Sequence, residues 1–245
     1  MFNRDHSLPG TACEYLGRPR TIYSNKPFTL NSKLIMKRFL FVILCLFNVT
    51  ASTEAQSKQK AISLFDGKTF NNWEGDTVNT WRIINKTIMG GSLTKTVPHN
   101  EFIATTESFG DFELELEFKL TGTGFVNAGV QFHSERAKDP AYEMIGYQAD
   151  LGNGYWASLY DESRRNLTIV QPDSTLIKKT LKPNTWNSFR IKSVGRRIHI
   201  WLNGIQTVDY SEPDEKIIHT GKIALQVHGG GKALAAYRNI KITRL

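Results

Sequence analysis

The stretch FELELEFKL, residues 112–120, alternates strictly between apolar and charged side chains. Its apolar residues all occupy even-numbered positions: Phe112, Leu114, Leu116, Phe118 and Leu120. Because successive side chains of a β-strand point to opposite faces of its sheet, the pattern predicts a strand with one face in the core and an acidic face in solvent. A strand buried on one face only is typical of an antiparallel sheet.

The same period of two continues in WNSFRIKSVGRRIHIWLNGIQTVDY, residues 186–210, as two linked hairpins. We place the first turn at Gly195, and Asn203-Gly204 favours the positive backbone angles of a tight two-residue turn. Further strands are predicted at residues 81–85, 101–105, 126–133, 155–160, 167–171, 222–228 and 237–245. About a dozen short strands with Gly and Asn turns, and no amphipathic helix longer than about ten residues, indicate an all-β sandwich of antiparallel strands.

The N-terminal part of the chain has the pattern of a targeting segment. Met36 starts MKRFLFVILCLFNVTASTEAQS, with a basic start, an apolar core and small polar residues up to Ala55, which is typical of a secretory signal peptide. The apolar core is about ten residues long, half of what spans a bilayer. We therefore expect an N-terminal extension at 1–35 from an over-extended start site, a signal peptide at 36–55, a linker at 56–61 and one domain at 62–245.

Charge and cysteine content argue against several classes of protein. Residues 56–245 hold 24 Lys and Arg against 20 Asp and Glu, a formal net charge of +4 compared with +8 for the whole chain. No basic run there could follow a phosphate backbone, so we expect no nucleic-acid partner. The two cysteines, Cys13 and Cys45, both precede the predicted domain. The domain must then be stabilised by its core, without disulfides, and the expected location is periplasmic or extracellular, with no membrane span after cleavage.

The familiar catalytic signatures are missing from the sequence. It contains no GxSxG elbow, no HExxH, no Walker loop and no GxGxxG after a strand. Without a cysteine in the domain, thiol chemistry is excluded as well. The chemistry available is that of carboxylates, histidines, tyrosines and arginines.

Two predicted strands each present a Gln-x-His pair. In NAGVQFHSER, residues 127–136, alternation places Gln131 and His133 on one face, and in LQVH it places Gln226 and His228 together. One such pair is usually an ordinary exposed strand face. Two pairs, with Glu135 and Arg136 beside the first, make a binding surface an equally good interpretation.

A third polar row lies in GYQADLGNGYWASLYDESRRN, residues 146–166. Alternation sets Gln148 and Asp150 on the face opposite Ala149, and aromatic residues follow at Tyr155 and Trp156. Sugar sites combine aromatic rings with carboxylates and amides, because pyranose C–H faces stack on rings while hydroxyl groups need hydrogen-bond partners. The alternative is that these aromatic residues belong to the core and the charged residues to the rim.

These segments resemble a known family, the 3-keto-disaccharide hydrolase domain, which is found in exported bacterial proteins and has a concanavalin A-like jelly-roll fold. The resemblance covers essentially all of residues 62–245. It is carried by LFDGKTFNNW at 64–73, FGDFELELEFKL at 109–120, NAGVQFHSER at 127–136, residues 146–166, WNSFRI at 186–191, WLNG at 201–204, GKIALQVHGGG at 221–231 and YRNIKI at 237–242.

The resemblance implies a substrate, an oxidised mono- or disaccharide glycoside with a ketone at the third sugar carbon, and a reaction. A base removes the proton next to the ketone, the glycosidic oxygen leaves by elimination, and water adds back. The candidates for catalysis are His133, Glu135, Asp150 and His228. The candidates for substrate binding are Gln131, Arg136, Tyr147, Gln148, Tyr155, Trp156, Arg165 and Gln226. The family pattern has Glu-x-Gln where this chain has Gln148-Ala149-Asp150, which leaves the identity of the base open.

Three further possibilities stay open from the sequence. A divalent metal held by some of the His, Glu and Asp residues could polarise the ketone oxygen, although no metal-ligand spacing selects a set. A conventional glycoside hydrolase with two carboxylates is a second candidate function. The chain lacks the ExDxxE spacing of glucanases on this fold, which counts against this function. A carbohydrate-binding module without catalysis is the third.

Overall fold

A computed structural model describes residues 59–245, which contain fifteen strands and one helix. The elements are β1 (Ile62–Ser63), β2 (Trp73–Glu74), β3 (Trp81–Ile84), β4 (Thr87–Gly91), β5 (Glu101–Phe109), β6 (Phe112–Gly124), β7 (Asn127–Arg136), β8 (Met144–Gly152), β9 (Leu159–Glu162), β10 (Leu167–Val170), α1 (Ser174–Thr180), β11 (Asn187–Val194), β12 (Arg197–Leu202), β13 (Ile205–Ser211), β14 (Gly221–Val227) and β15 (Gly231–Arg244).

The strands form two antiparallel sheets packed face to face, which confirms the predicted β-sandwich. The first sheet, here the hairpin sheet, has the order β13-β12-β11-β6-β15-β4-β3, with β1 also paired to β15. The second, here the cleft sheet, has the order β10-β9-β8-β7-β14-β5-β2. The facing sides enclose one large apolar core. Burying each large apolar side chain there contributes roughly 1.5–3 kcal/mol, so the core can stabilise the domain without a disulfide.

Strand β6 has the predicted two faces. Phe112, Leu114, Leu116, Phe118 and Leu120 are all buried in the core. On the opposite face, acidic residues of β6 stand across from basic residues of its neighbours, as Glu115 does from Arg190 of β11 and Glu117 from Arg238 of β15. Such cross-strand pairs of opposite charge stabilise the register at the solvent face.

The predicted turns of the hairpin sheet are also confirmed. Gly195 joins β11 to β12 with a φ of 51°, and Asn203 and Gly204 join β12 to β13 with φ values of 48° and 83°. Asn203 further ties the turn to its surroundings, since its Nδ2 donates to the carbonyl oxygen of Thr180 at 2.8 Å. The turn chemistry read from the sequence therefore determines how these three strands follow one another.

Two local expectations are wrong. The strand expected at 155–160 begins only at Leu159, because residues 153–157 form a turn that folds back on Asp150: the backbone N–H of Ala157 donates to the carbonyl oxygen of Asp150 at 2.9 Å. Strand β7 carries a bulge between Phe132 and Glu135, where His133 adopts a φ of 47°. A bulge resets the alternation of a strand. Gln131 and His133 consequently do not share a face.

The predicted N-terminal extension and signal peptide lie outside the described residues. Within residues 59–245, no helix has the length and apolar character needed to cross a membrane.

Candidate functional site

A cleft of about 150 Å³ opens on the side of the cleft sheet that faces away from the core. Strands β7, β8, β9 and β14 and their connections surround it. Its lining combines two carboxyl groups, two amides and aromatic rings: Phe125, Asn127, Gln148, Asp150, Tyr155, Tyr160, Glu162 and His228.

Alternation and register bring these side chains to one face. In β8, Ala149 and Leu151 are in the core, so Gln148 and Asp150 point the other way into the cleft, as predicted. Register then sets Tyr160 of β9 opposite Gln148. Gly129 of β7 makes room for this arrangement, because a Cβ atom there would lie 2.3 Å from Cδ of Gln148. A glycine at this position allows the Gln148 side chain to lie flat across the sheet.

Asp150 is the first of the two acids in the cleft and is only 4% exposed. Its Oδ1 accepts hydrogen bonds from the backbone N–H of Leu151 at 2.8 Å and from Nδ2 of Asn127 at 3.1 Å. Burial raises the pKa of Asp150 to about 7, because the charged form loses its hydration, and these hydrogen bonds only partly offset that effect.

Glu162, the second acid, is 8% exposed. Its Oε2 accepts from Nε2 of Gln226 at 3.0 Å and from Nε2 of Gln148 at 3.3 Å. Burial, followed by the nearby carboxylates of Glu143 and Asp150, raises the pKa of Glu162 to about 7. In the part of the chain that the structure describes, no Lys or Arg forms an ion pair with either cleft acid.

The two glutamines form one hydrogen-bonded unit beneath the acids. Gln148 Nε2 donates to Oε1 of Gln226 at 3.2 Å while both amides also donate to Glu162. The backbone beneath is fixed by the buried hydroxyl of Tyr237, which donates to the carbonyl oxygens of Gln226 at 2.7 Å and Gly129 at 3.1 Å. Side chains held in this way keep a defined orientation before a ligand arrives.

The rim of the cleft is aromatic. Tyr155 is 39% exposed and Phe125 is 46% exposed, although both are large apolar rings. The His228 ring lies edge-on to Phe125 with a centroid distance of 4.8 Å, and its Nδ1 is 2.7 Å from the carbonyl oxygen of Gly229. Burial, then the charges of Glu162 and Asp150, raises the pKa of Tyr160, so its hydroxyl keeps its proton and can donate a hydrogen bond. Exposed rings around polar groups suit a sugar ring.

Five of the predicted site residues thus come together: Gln148, Asp150, Tyr155 and His228 line the cleft, and Gln226 joins them through its amide. The others lie elsewhere. His133 turns towards the opposing sheet, where its Nε2 is 2.8 Å from Oγ of Ser193, and burial lowers its pKa to about 4. Glu135 is exposed on the bulged end of β7. Gln131 is fully buried, and neither of its amide atoms has a partner within the described residues.

The remaining predicted residues have contacts of other kinds. Tyr147 and Trp156 pack on the core side, where the Tyr147 ring stacks on Phe132 and Trp156 stacks on Phe118. Arg136 donates to backbone carbonyl oxygens beside a separate hollow, including that of Tyr142 at 3.1 Å. Arg165 pairs with Glu212 at 2.8 Å and with Asp161.

Four lining residues are not among those predicted from the sequence: Phe125, Asn127, Tyr160 and Glu162. A signal existed for Glu162, since alternation in LYDE puts it on the same face as Tyr160 and opposite Asp161. Asn127 begins the strand segment NAGVQ, and alternation places it on the same face as Gly129 and Gln131. Among residues 59–245, no three His, Cys, Asp or Glu side chains are grouped so that they could hold a metal ion.

Comparison with known proteins gives a family and a fold. A family model described as "3-keto-alpha-glucoside-1,2-lyase-like domain" matches residues 60–243. No curated protein matches the chain.

Several solved structures share the sandwich. A proposed glycosyl hydrolase from Parabacteroides distasonis has 20% identity and a TM-score of 0.57, over 76% of this chain and 94% of that one. Carbohydrate-binding module CBM66 from Bacillus subtilis has 17% identity and a TM-score of 0.53, over 70% and 95%. A Bacillus subtilis protein of unknown function with a galectin-like fold has 12% identity and a TM-score of 0.56, over 76% and 94%. At these identities the likeness establishes the jelly-roll type of sandwich and nothing finer.

Proposed function

The chain belongs to the family of 3-keto-alpha-glucoside-1,2-lyase-like domains, and we propose that it cleaves glycosides whose third sugar carbon has been oxidised to a ketone. Membership in this family supports a carbohydrate-active role. The observation that carries the proposal is the pair of buried acids, Asp150 and Glu162, which face one cleft without a cationic partner in the described residues.

The chemistry requires an acid and a base in one place. A ketone at C3 acidifies the proton on C2, and an ionised carboxylate can remove it to form an enolate. The electron pair then expels the glycosidic oxygen from C1, which leaves as an alcohol once a carboxylic acid has given it a proton. Water adds to C1 and a proton returns to C2, so the net reaction is hydrolysis and no oxidant or reductant is consumed.

The electrostatics of the cleft suit this chemistry. Two buried carboxyl groups in one cleft resist ionising together, because the first negative charge raises the pKa of the second group. With both pKa values raised to about 7, the pair supplies one carboxylate and one carboxylic acid near neutral pH. A general base and a general acid work best with pKa values close to the working pH.

The rest of the cleft provides groups for binding. The rings of Tyr155 and Phe125 can stack on the sugar, and the hydroxyl of Tyr160 and the ring of His228 can bond its oxygens. The Gln148 and Gln226 amides hold Glu162 in place. The substrate itself would be made by an earlier oxidation of a C3 hydroxyl group.

Two other functions are compatible with parts of this site. A conventional glycoside hydrolase also needs two carboxyl groups and would cleave sugars that carry no ketone. A carbohydrate-binding module would use the aromatic rim alone, and the structural neighbour CBM66 is described as such a module.

Turnover assays separate the three functions. Purified protein is incubated with a 3-keto-glucoside, a 3-keto-disaccharide and the corresponding unoxidised sugars, with and without divalent metal. We expect cleavage of the oxidised compounds only, and its loss in Asp150→Asn. Folded protein that leaves the oxidised compounds intact would contradict the proposal. Cleavage of the unoxidised sugars would favour a conventional hydrolase, and binding without cleavage would favour a module.

We further propose that the protein works after export, in the periplasm or outside the cell. This rests on the signal-peptide pattern of residues 36–55. N-terminal sequencing of the secreted or periplasmic form checks it, with cleavage expected near Ala55. A mature chain that still begins upstream of Met36 would contradict it.

A further inference from the structure

We propose that the hollow beside Arg136 is a second sugar site, which binds the leaving sugar of a 3-keto-disaccharide while the oxidised ring occupies the cleft. The lining of this hollow includes Glu101, Phe102, Arg136 and Tyr142. The inference rests on the proposed function and names the class of its substrate: a glycoside whose leaving group is itself a neutral sugar.

The cleft alone is too small to enclose a disaccharide. Its volume is about 150 Å³, below the roughly 300–1,000 Å³ that is typical of sites that bury a small ligand. The hollow has a volume of about 530 Å³. A substrate with two sugar rings therefore extends beyond the cleft, and the hollow has the room to receive its second ring.

The hollow and the cleft open on the same side of the cleft sheet. Phe102 of β5 pairs directly with Gln226 of β14, whose amide bonds Glu162 in the cleft. Residues paired in this way share a face of the sheet. Phe102 accordingly lies outside the core between the sheets, in a small apolar cluster that includes Met144. Because neighbouring strands are about 4.8 Å apart, the hollow begins within the span of a disaccharide that enters the cleft.

A chain of hydrogen bonds connects the walls of the two spaces. Tyr142, in the hollow, precedes Glu143, whose Oε2 accepts from Nδ2 of Asn100 at 3.3 Å. Oδ1 of Asn100 in turn accepts from the backbone N–H of Gly229 at 3.2 Å. Gly229 follows His228, which lines the cleft. These bonds fix the position of the hollow relative to the cleft.

Tyr142 offers a ring for stacking. The side chain is 39% exposed, and one face of its ring stacks on His99 with a centroid distance of 3.7 Å and an interplanar angle of 16°. Since His99 covers one face, the exposed surface of Tyr142 belongs to its edge and its other face. The backbone is fixed as well, because Nη1 of Arg136 donates to the Tyr142 carbonyl oxygen at 3.1 Å. A ring held from behind suits the C–H face of a pyranose.

Glu101 supplies a polar group with unused hydrogen-bonding capacity. It is 8% exposed and lines the hollow, and its carboxylate accepts no hydrogen bond within the described residues. Its ion-pair neighbour there is His99, whose Nδ1 is 3.4 Å from Oε1. Buried carboxylates normally have hydrogen-bond donors, and the hydroxyl groups of a sugar can supply them. With Glu74 and Asp76 the hollow has three acidic groups and one arginine, so a neutral sugar fits it better than an anionic one.

Kinetics with two substrates test the second site. A 3-keto-disaccharide places a sugar in the hollow, whereas methyl 3-keto-glucoside does not. We expect Tyr142→Ala to lower kcat/KM about fivefold to tenfold for the disaccharide and less than about twofold for the methyl compound. Glu101→Gln should show the same selectivity, because an amide replaces one acceptor oxygen with a donor. Glu107→Gln, an exposed acid on the same strand, is the matched control and should leave both unchanged.

Binding without turnover tests the site separately from the proposed function. By calorimetry, an unoxidised glucose disaccharide should bind at least about threefold more tightly than methyl glucoside, and Tyr142→Ala should remove the difference. Equal affinities in the wild type, or equal losses on both substrates in Tyr142→Ala, would overturn the second site and leave the proposed function intact. Wild-type protein that cleaves neither 3-keto compound would contradict the function, and the binding comparison would then decide whether the hollow binds a sugar.

Thermal unfolding checks that the variants are folded. Arg136 bonds the backbone of Tyr142, which alanine retains, so the loop should keep its position in Tyr142→Ala. Glu101→Gln carries both measurements if Tyr142→Ala does not fold, and a Glu101→Gln variant without selectivity between the two substrates would also overturn the second site.

Discussion

Asp161 and Glu162 are neighbours in the sequence, both buried, and their side chains enter opposite surroundings. Asp161 faces the core side. Its Oδ1 accepts a hydrogen bond from Nε of Arg164 at 3.0 Å, and its Oδ2 accepts one from Nε of Arg165. With Tyr147 and Glu212 these residues form what we call the ionic cluster. Glu162 faces the cleft and receives only neutral amides. Alternation in one strand therefore separates an acid bonded by arginines from an acid that lines the cleft.

The two surroundings shift pKa values in opposite directions. Burial acts to raise the pKa of Glu212, but hydrogen bonds from Arg165 and Tyr147 outweigh it and lower the pKa to about 2. In the cleft no cation offsets burial, so the pKa values of Asp150 and Glu162 rise to about 7. A buried acid with arginine partners stays charged and holds elements together, whereas a buried acid without them can exchange a proton.

The largest expected effect is on catalysis. Asp150→Asn should lower kcat for a 3-keto-disaccharide about 10³-fold, because one of the two cleft acids is lost, and should keep or raise the melting temperature, because a buried acid without a cationic partner is removed. Steady-state kinetics and thermal unfolding of the same preparation measure both. If Asp150→Asn lost activity only because it unfolds at a lower temperature, Asp150 would be a stabilising acid like those of the ionic cluster, which would contradict the prediction.

The second effect is on stability. Glu212→Gln should lower the free energy of unfolding by about 3 kcal/mol, because Arg165 and the Tyr147 hydroxyl lose their charged partner. Activity per folded molecule should be retained. Urea denaturation gives the first quantity, and kinetics well below the unfolding midpoint give the second. A loss of activity in the folded variant would place the ionic cluster in the catalytic machinery.

A third prediction concerns pH. The cleft acids have raised pKa values in the folded state, so their contribution to stability is complete below pH 4 and is lost as the pH rises towards 7. Glu212 has a lowered pKa, so its contribution is present above about pH 4.5 and is lost as the pH falls towards 2. The free energy of unfolding should therefore decline by about 2 kcal/mol less in Asp150→Asn than in the wild type between pH 5 and pH 7.

The free energy of unfolding, measured by urea denaturation between pH 3 and pH 8, tests this prediction. The wild type should lose stability between pH 5 and pH 7, and the Asp150→Asn profile should be flatter. Identical profiles for the two proteins would show that Asp150 ionises normally in the folded state.

The smallest expected effect is on binding. Phe125→Ala should raise KM for a 3-keto-disaccharide about fivefold, equivalent to about 1 kcal/mol of lost stacking, with little change in kcat. Phe70→Ala is not a suitable comparison, because Phe70 packs on the core. Val78→Ala is a suitable control, since Val78 is 89% exposed and does not line the cleft. An unchanged KM in Phe125→Ala would show that the aromatic rim does not bind the substrate.

Features that depend on local alternation were predictable from the sequence. The two faces of β6, the Asn203-Gly204 turn and the shared orientation of Gln148 and Asp150 all follow from a period of two and from turn chemistry. The same rule already separates Tyr147 from Gln148, since adjacent residues face opposite sides. The prediction that Tyr147 binds sugar relied on its aromatic ring and not on its position. The structure places Tyr147 in the ionic cluster.

Features that depend on register or on irregular backbone were not predictable. His133 left the expected face because of a bulge with positive φ, which a single sequence does not reveal. Glu162 joins Gln226 only because β9, β8, β7 and β14 are neighbours in one sheet, an order that long-range pairing determines. The sequence therefore shows Asp150 and Glu162 as two separate acids and does not indicate that they line one cleft.

Deuterium incorporation tests the central claim most directly. When wild-type protein cleaves a 3-keto-disaccharide in D₂O, elimination followed by hydration must place solvent deuterium at C2 of the released 3-keto sugar, as NMR or mass spectrometry can show. We predict one deuterium at C2 at a rate matching cleavage, far above the exchange in buffer alone and absent with Asp150→Asn. Rapid cleavage that leaves the C2 hydrogen in place would contradict the account and indicate direct displacement at C1.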